Sequence, residues 1–233
     1  MRQALLIGHN FMRQGWYGAA GFMAYVALLT WLGRRVPVNV VNELAGVAVA
    51  FMVAISATLA LAGVAMDVKT RTILPVLSKG ISRSTYLLGM FYGALMLLLV
   101  MCVWAFACWE WQIDRAMTLH AAVHVQIDVL LWALLLGFSL SLLMMCAGLL
   151  GVSLVESKKA LLFPIVIFLG PVAPTWFGQK ALATPHTALL GGMMKPMTPY
   201  PRASVWETVV EAAVLLAIAL LVFSRRDVTV ASE

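Results

Sequence analysis

Uncharged apolar runs, each long enough or nearly long enough to cross a bilayer, recur along this chain and constrain its fold more than any other feature. They lie near residues 17–33, 44–66, 86–109, 129–154, 160–177 and 205–223. A helix rises about 1.5 Å per residue, so some 20 residues cross about 30 Å of hydrocarbon. Backbone inside hydrocarbon must satisfy its own hydrogen bonds, and helices do so within one segment. The expected fold is an all-α polytopic membrane protein, a single transmembrane domain over 1–233 with six spans. Composition closes the soluble alternative: apolar types make up 63% and charged types 11%, against roughly 45–50% and about 25% in soluble domains. No stretch is long and polar enough for a folded aqueous domain. Pro164, Pro171 and Pro174 interrupt the fifth run, which is therefore expected to be short or broken.

Orientation follows from the placement of Lys and Arg. With the N-terminus cytoplasmic, Arg2, Arg13, Lys69, Arg71, Lys79, Arg83, Lys158, Lys159, Arg225 and Arg226 fall inside. The inside segments then hold the whole net charge of +6, and the outside segments balance to zero. Both termini are expected in the cytoplasm of a cell with this protein in its inner or plasma membrane. Residues 1–16 divide by helical arc. His9, Arg2, Arg13, Asn10, Gln3 and Gln14 share one side, and Ile7, Phe11, Ala4, Met12, Leu5 and Trp16 the other, with Leu6 misplaced. This pattern predicts an amphipathic interfacial helix ahead of the first span.

The connection 67–85 carries the apolar stretch Ile73-Leu74-Pro75-Val76-Leu77 between Lys69/Arg71 and Lys79/Arg83. It is too short to span. An exposed apolar patch between bases predicts a docking surface or an interfacial anchor. The connection near 178–204 is rich in proline, glycine and methionine, and reads as short re-entrant or interfacial helices over the outer end.

The interiors of 44–66, 86–109 and 129–154 contain no ionisable Asp, Glu, Lys, Arg or His. Ion-coupled transport needs such groups at depth, so it is disfavoured. Glu207 and Glu211, one turn apart in the last span, read as an acidic pair near the outer mouth. There is no G-x-x-x-x-G-K-[ST], and no G-x-S-x-G or H-E-x-x-H, so no catalytic residues and no enzyme activity are expected in this chain. Cys102, Cys108 and Cys146 lack a C-x-x-C or a partnered histidine and read as small buried hydrophobes. His120 and His124 share a helix face near the outer interface, but no third ligand accompanies them, so no metal is expected. Trp104, Trp109 and Trp111 fit an aromatic belt. Gly18 to Gly21, Ala54 to Gly63, Gly89-x-x-x-Gly93 and Gly148/Gly151 permit close helix approach.

The run T-R-T-I-L-P-V-L-S-K-G-I-S-R-S-T-Y-L-L-G, Thr70 to Gly89, resembles the loop after the second span in permease subunits of type-2 ABC exporters. The matching positions are Asp67, Thr72, Leu74, Leu77, Ser78, Ile81, Ser82, Arg83, Tyr86, Leu87, Leu88 and Gly89. Gly80 stands where that family often has proline, and Asp67 where glutamate is usual. Phe223-Ser224-Arg225-Arg226-Asp227 resembles the family's terminal F-x-R-R-D. The resemblance implies six spans with both ends inside and a dimer of permeases, either two copies or two related chains. It also implies that each permease docks a separate ATP-binding cassette subunit through 67–85. The docking residues it implies are Arg71, Thr72, Ile73, Leu74, Pro75, Val76, Leu77, Ser78, Lys79 and Arg83. ATP and magnesium would belong to that partner, with no cofactor here and no nucleic acid. Two other readings stand beside this one: a haem- or cofactor-handling protein of cytochrome maturation using His120, His124 and the tryptophans, and a non-transporting membrane anchor for the ATPase. An apolar, uncharged interior points to a lipid, peptide or lipophilic drug as cargo.

Overall fold

A computed structural model describes residues 2–33, 52, 55–56, 80–118, 127–155, 159–160, 162–171, 173–177, 180, 184 and 202–225. Five α-helices hold most of them: α1 (Arg2–Gly33), α2 (Arg83–Thr118), α3 (Ile127–Leu154), α4 (Leu162–Leu169) and α5 (Arg202–Arg225). A 3-10 turn, Ala173–Phe177, follows α4. No strand occurs among the described residues. Among the described residues three helices are long and apolar enough to cross a membrane, within Arg83–Trp111, Leu134–Leu154 and Val205–Arg225.

One expectation changes and one is met. The boundary expected near residue 16 is absent, and α1 runs unbroken for 32 residues, about 48 Å. Trp16, Tyr17, Tyr25, Thr30 and Trp31 dilute its apolar half, which leaves it outside the three strongly apolar helices. The fifth run, 160–177, does not cross as one helix. Its α4 has eight residues, about 12 Å. Pro164 sits in its first turn, where a missing N–H is harmless, and Pro171 follows its end. Six spans are therefore not seen among the described residues. Most of 44–66 and of the 178–204 connection lies outside them.

Residue contacts fix the helix directions. Gly8 of α1 meets Gly89 and Gly93 of α2. Further along, the Trp104 indole N–H donates to the Met23 carbonyl at 3.0 Å, and Cys108 lies beside the Thr30 side chain. Numbers rise together, so α1 and α2 are parallel. Tyr86, at the start of α2, stacks on Phe223, at the end of α5, with centroids 6.3 Å apart. Phe91 of α2 and Leu215 and Leu216 of α5 pack around Leu143, Cys146 and Ala212. Thus α5 runs antiparallel to α2.

The α1–α2 seam is a backbone contact. A Cβ added to Gly93 would lie 2.5 Å from the Gly8 carbonyl oxygen, and one on Gly89 2.7 Å from Ile7 Cβ and 2.8 Å from the Ala4 carbonyl oxygen. Only glycine lets the helices come this close.

Helix α3 is apolar all round, and its Leu134–Leu154 part is the most buried of the three apolar helices. Leu140, Leu143, Ala147 and Leu149 are fully buried. Its hydroxyls mostly bond within the helix: Ser139 Oγ donates to the Leu136 carbonyl at 2.9 Å and Ser153 Oγ to the Leu149 carbonyl at 2.7 Å. Ser141 Oγ is buried without a partner among the described residues.

Candidate docking end of the bundle

The packing gathers the start of α1, the start of α2 and the end of α5 at one end. The expected docking segment enters α2 there. Arg71, Thr72, Ile73, Leu74, Pro75, Val76, Leu77, Ser78 and Lys79 lie outside the described residues, so the described part begins at Gly80.

Gly80 turns the chain at φ +77°, a conformation open to glycine and closed to proline. The departure from the family's proline therefore has a geometric counterpart: this turn cannot be built with proline at that position. Ser82 then caps α2. The Thr85 N–H donates to Ser82 Oγ at 3.1 Å, the two hydroxyls lie 2.7 Å apart, and the Tyr86 N–H donates to the Ser82 carbonyl at 3.0 Å. A serine whose side chain takes an orphan N–H of the first turn fixes where the helix starts. Arg83 is the first helical residue and is half-buried.

The next motif residues divide by role. Tyr86 and Leu87 are buried, Leu88 is 40% exposed, and Gly89 receives α1. Tyr86 and Phe223, one from each of the two motifs that carry the resemblance, stack on each other. Beyond Phe223, Ser224 Oγ donates to the Leu221 carbonyl at 2.8 Å. Arg225, exposed in the last turn of α5, complements the negative helix end. Arg226 and Asp227 lie outside the described residues.

Among the described residues the other candidates do not assemble into a site. His120 and His124 lie outside the described residues. Trp109 is in the core, whereas Trp104 and Trp111 are exposed, and Trp104 is tied to Met23. Packing accounts for Trp104 and Trp109. Cys102 donates to Met52 Sδ at 3.7 Å, and all three cysteines are free thiols. Glu207 is exposed and Glu211 half-buried, both in the half of α5 away from Phe223. Among the described residues no group of three His, Cys, Asp or Glu side chains is placed to hold a metal.

Two features escaped the sequence reading. A serine just ahead of an apolar helical run is an N-cap signal, but Ser82 drew attention only through the resemblance. Gly8 in α1 carried no visible signal, because a close approach needs a partner helix to reveal it. No protein-family model and no curated protein matches this chain.

Proposed function

We propose that this chain is the transmembrane subunit of an ATP-binding cassette exporter. It forms the translocation path, and a separate ATPase docks on the 67–85 loop. One observation carries the reading: the segment leading to Gly80 reaches the bundle at the end where α1 begins and α5 finishes. A cytoplasmic docking loop must share its side with both termini, and of the cations expected inside, Arg13, Arg83 and Arg225 are described in that half of their helices.

The full topology belongs to the same proposal. Helices α1 and α2 are parallel, so the chain between them must return to the end it left. The run 44–66 is apolar enough to make that return. Met52 supports it: this residue is buried in the core against Cys102, and each lies about seven or eight residues from the outer end of its run. Six crossings then need 160–177 to enter the membrane as a broken, helper element rather than as one rod. A second permease copy would complete the path, and closure of the paired ATPases would move the loops and switch the bundle between inward- and outward-facing states. The absence of a phosphate-binding loop fits this division of labour.

The test replaces Leu74 and Leu77 by Asp. Two unpartnered charges in an apolar contact carry a desolvation penalty of several kcal/mol, while the spans are untouched. The expected result is normal membrane abundance, loss of a co-purifying ATPase, and loss of ATP-driven transport. His120→Asp with His124→Asp should leave ATPase binding intact. A loop variant that keeps its ATPase and transports normally would make Ile73–Leu77 an interfacial anchor instead.

A further inference from the structure

The register of α1 on α2 sets the depth of α1's polar side chains. Phe11 and Gly8 meet Gly93, which lies about 10 Å past Tyr86 along α2, and Arg13 lies about 3 Å further. The apolar run of α2 from Tyr86 to Trp109 is about 36 Å long. Arg13 is therefore level with hydrocarbon if this run crosses the bilayer. Gln3, His9, Asn10, Arg13 and Gln14 are all exposed; at 100° per residue His9 and Arg13 lie opposite the Gly8–Phe11 seam, with Asn10, Gln3 and Gln14 successively nearer to it. A cation at that depth needs water, a counter-charge or a local bilayer defect. The described carboxylates, Glu110, Glu207 and Glu211, belong to the other half of their helices, so none stands level with Arg13 among the described residues.

The same face changes character further along the helix. Tyr17 is 85% exposed and Leu28 51%; Gly21, Ala24 and Leu32 lie on this side too. A Cβ on Gly21 would meet nothing within 4 Å. One face of one helix thus offers a cation and amides first, then an apolar strip with a shallow gap.

We propose that this face holds an anionic lipid. Its headgroup sits at Arg13, flanked by His9 and Gln14, and its chain lies along Tyr17, Gly21, Ala24 and Leu28. Charge complementarity selects the headgroup, and the order polar-then-apolar along the membrane normal selects an amphiphile over a soluble anion. Within the export reading, on which the word cargo rests, this lipid class is the cargo. Binding itself needs no ATPase, so the two fail separately.

The test uses the full chain in lipid vesicles without ATPase, with chain-nitroxide phosphatidylglycerol and phosphatidylcholine as probes. The motionally restricted spectral fraction reports binding. Phosphatidylglycerol should be preferred about fivefold, the size of one cation's contribution near a membrane. The preference should persist in high salt, which screens exposed surface charge. It should fall to parity in Arg13→Gln, survive in Arg13→Lys, and survive in Arg225→Gln, which removes an exposed cation from the same end. Equal binding of both lipids, abolition by salt alone, or loss in R225Q instead of R13Q would overturn the proposal. So would efficient intermolecular disulfide formation by Tyr17→Cys in a background lacking the three native cysteines, because a second copy would then cover the face.

Discussion

Ser82 and Gly93 each do one local job that a single atom can undo. Ser82 Oγ takes the Thr85 N–H, so Ser82→Ala should lower stability by about 1 kcal/mol. Ser82→Asp keeps an acceptor there and should restore it, as thermal unfolding in detergent would read. Gly93→Ala would press a methyl group onto the Gly8 carbonyl, and backbone on both sides cannot yield cheaply. Its expected loss is about 1–3 kcal/mol. Gly21→Ala, where the added carbon meets nothing, should be close to neutral in the same measurement. Equal effects at the two glycines would mean that the α1–α2 seam is not close-packed. These residues also mark the limit of reading a sequence. Gly89-x-x-x-Gly93 was visible as a site for close approach, but the spacing does not say which helix approaches. Tyr86 and Phe223 were each visible in a motif, yet nothing local shows that they stack.

At the scale of the element, α1 departs most from expectation. Its polar and apolar arcs were legible from the 100° step alone, and the Ala4, Ile7 and Phe11 side of the apolar arc packs while Leu5 and Trp16 stay exposed. Its neighbour was not legible, because the same amphipathic pattern serves a membrane surface or a helix face equally well. Here Ala4, Ile7, Gly8 and Phe11 pack on α2, so the helix continues straight through the expected joint. Gly15→Pro distinguishes the two arrangements. In a continuous helix it removes a hydrogen bond and clashes with the Phe11 carbonyl, costing about 3 kcal/mol. At a hinge between an interfacial helix and a span it would be tolerated. The expected outcome is a large drop in the unfolding midpoint, and an unchanged midpoint would restore the hinge. The break in 160–177 was easier to foresee, since proline acts on the backbone it occupies.

Helix directions decide sidedness for the whole molecule, and sidedness decides whether the docking proposal is physically possible. Arg225 lies at the end shared with Tyr86, because Phe223 stacks there. Glu110 is 27 residues beyond Arg83 along the same helix, about 40 Å away, and is exposed at the opposite end. The excess of Lys and Arg assigns the Arg225 end to the cytoplasm. In a background lacking Cys102, Cys108 and Cys146, a cysteine at position 225 should react with an impermeant maleimide only after the membrane is opened. One at position 110 should react in intact cells. The reverse pattern would put the 67–85 loop outside, beyond the reach of any cytoplasmic ATPase, and would end the exporter reading. Labelling of both positions from one side would contradict α2 as a crossing helix. That result would also remove the depth argument for Arg13, because the depth is measured along α2.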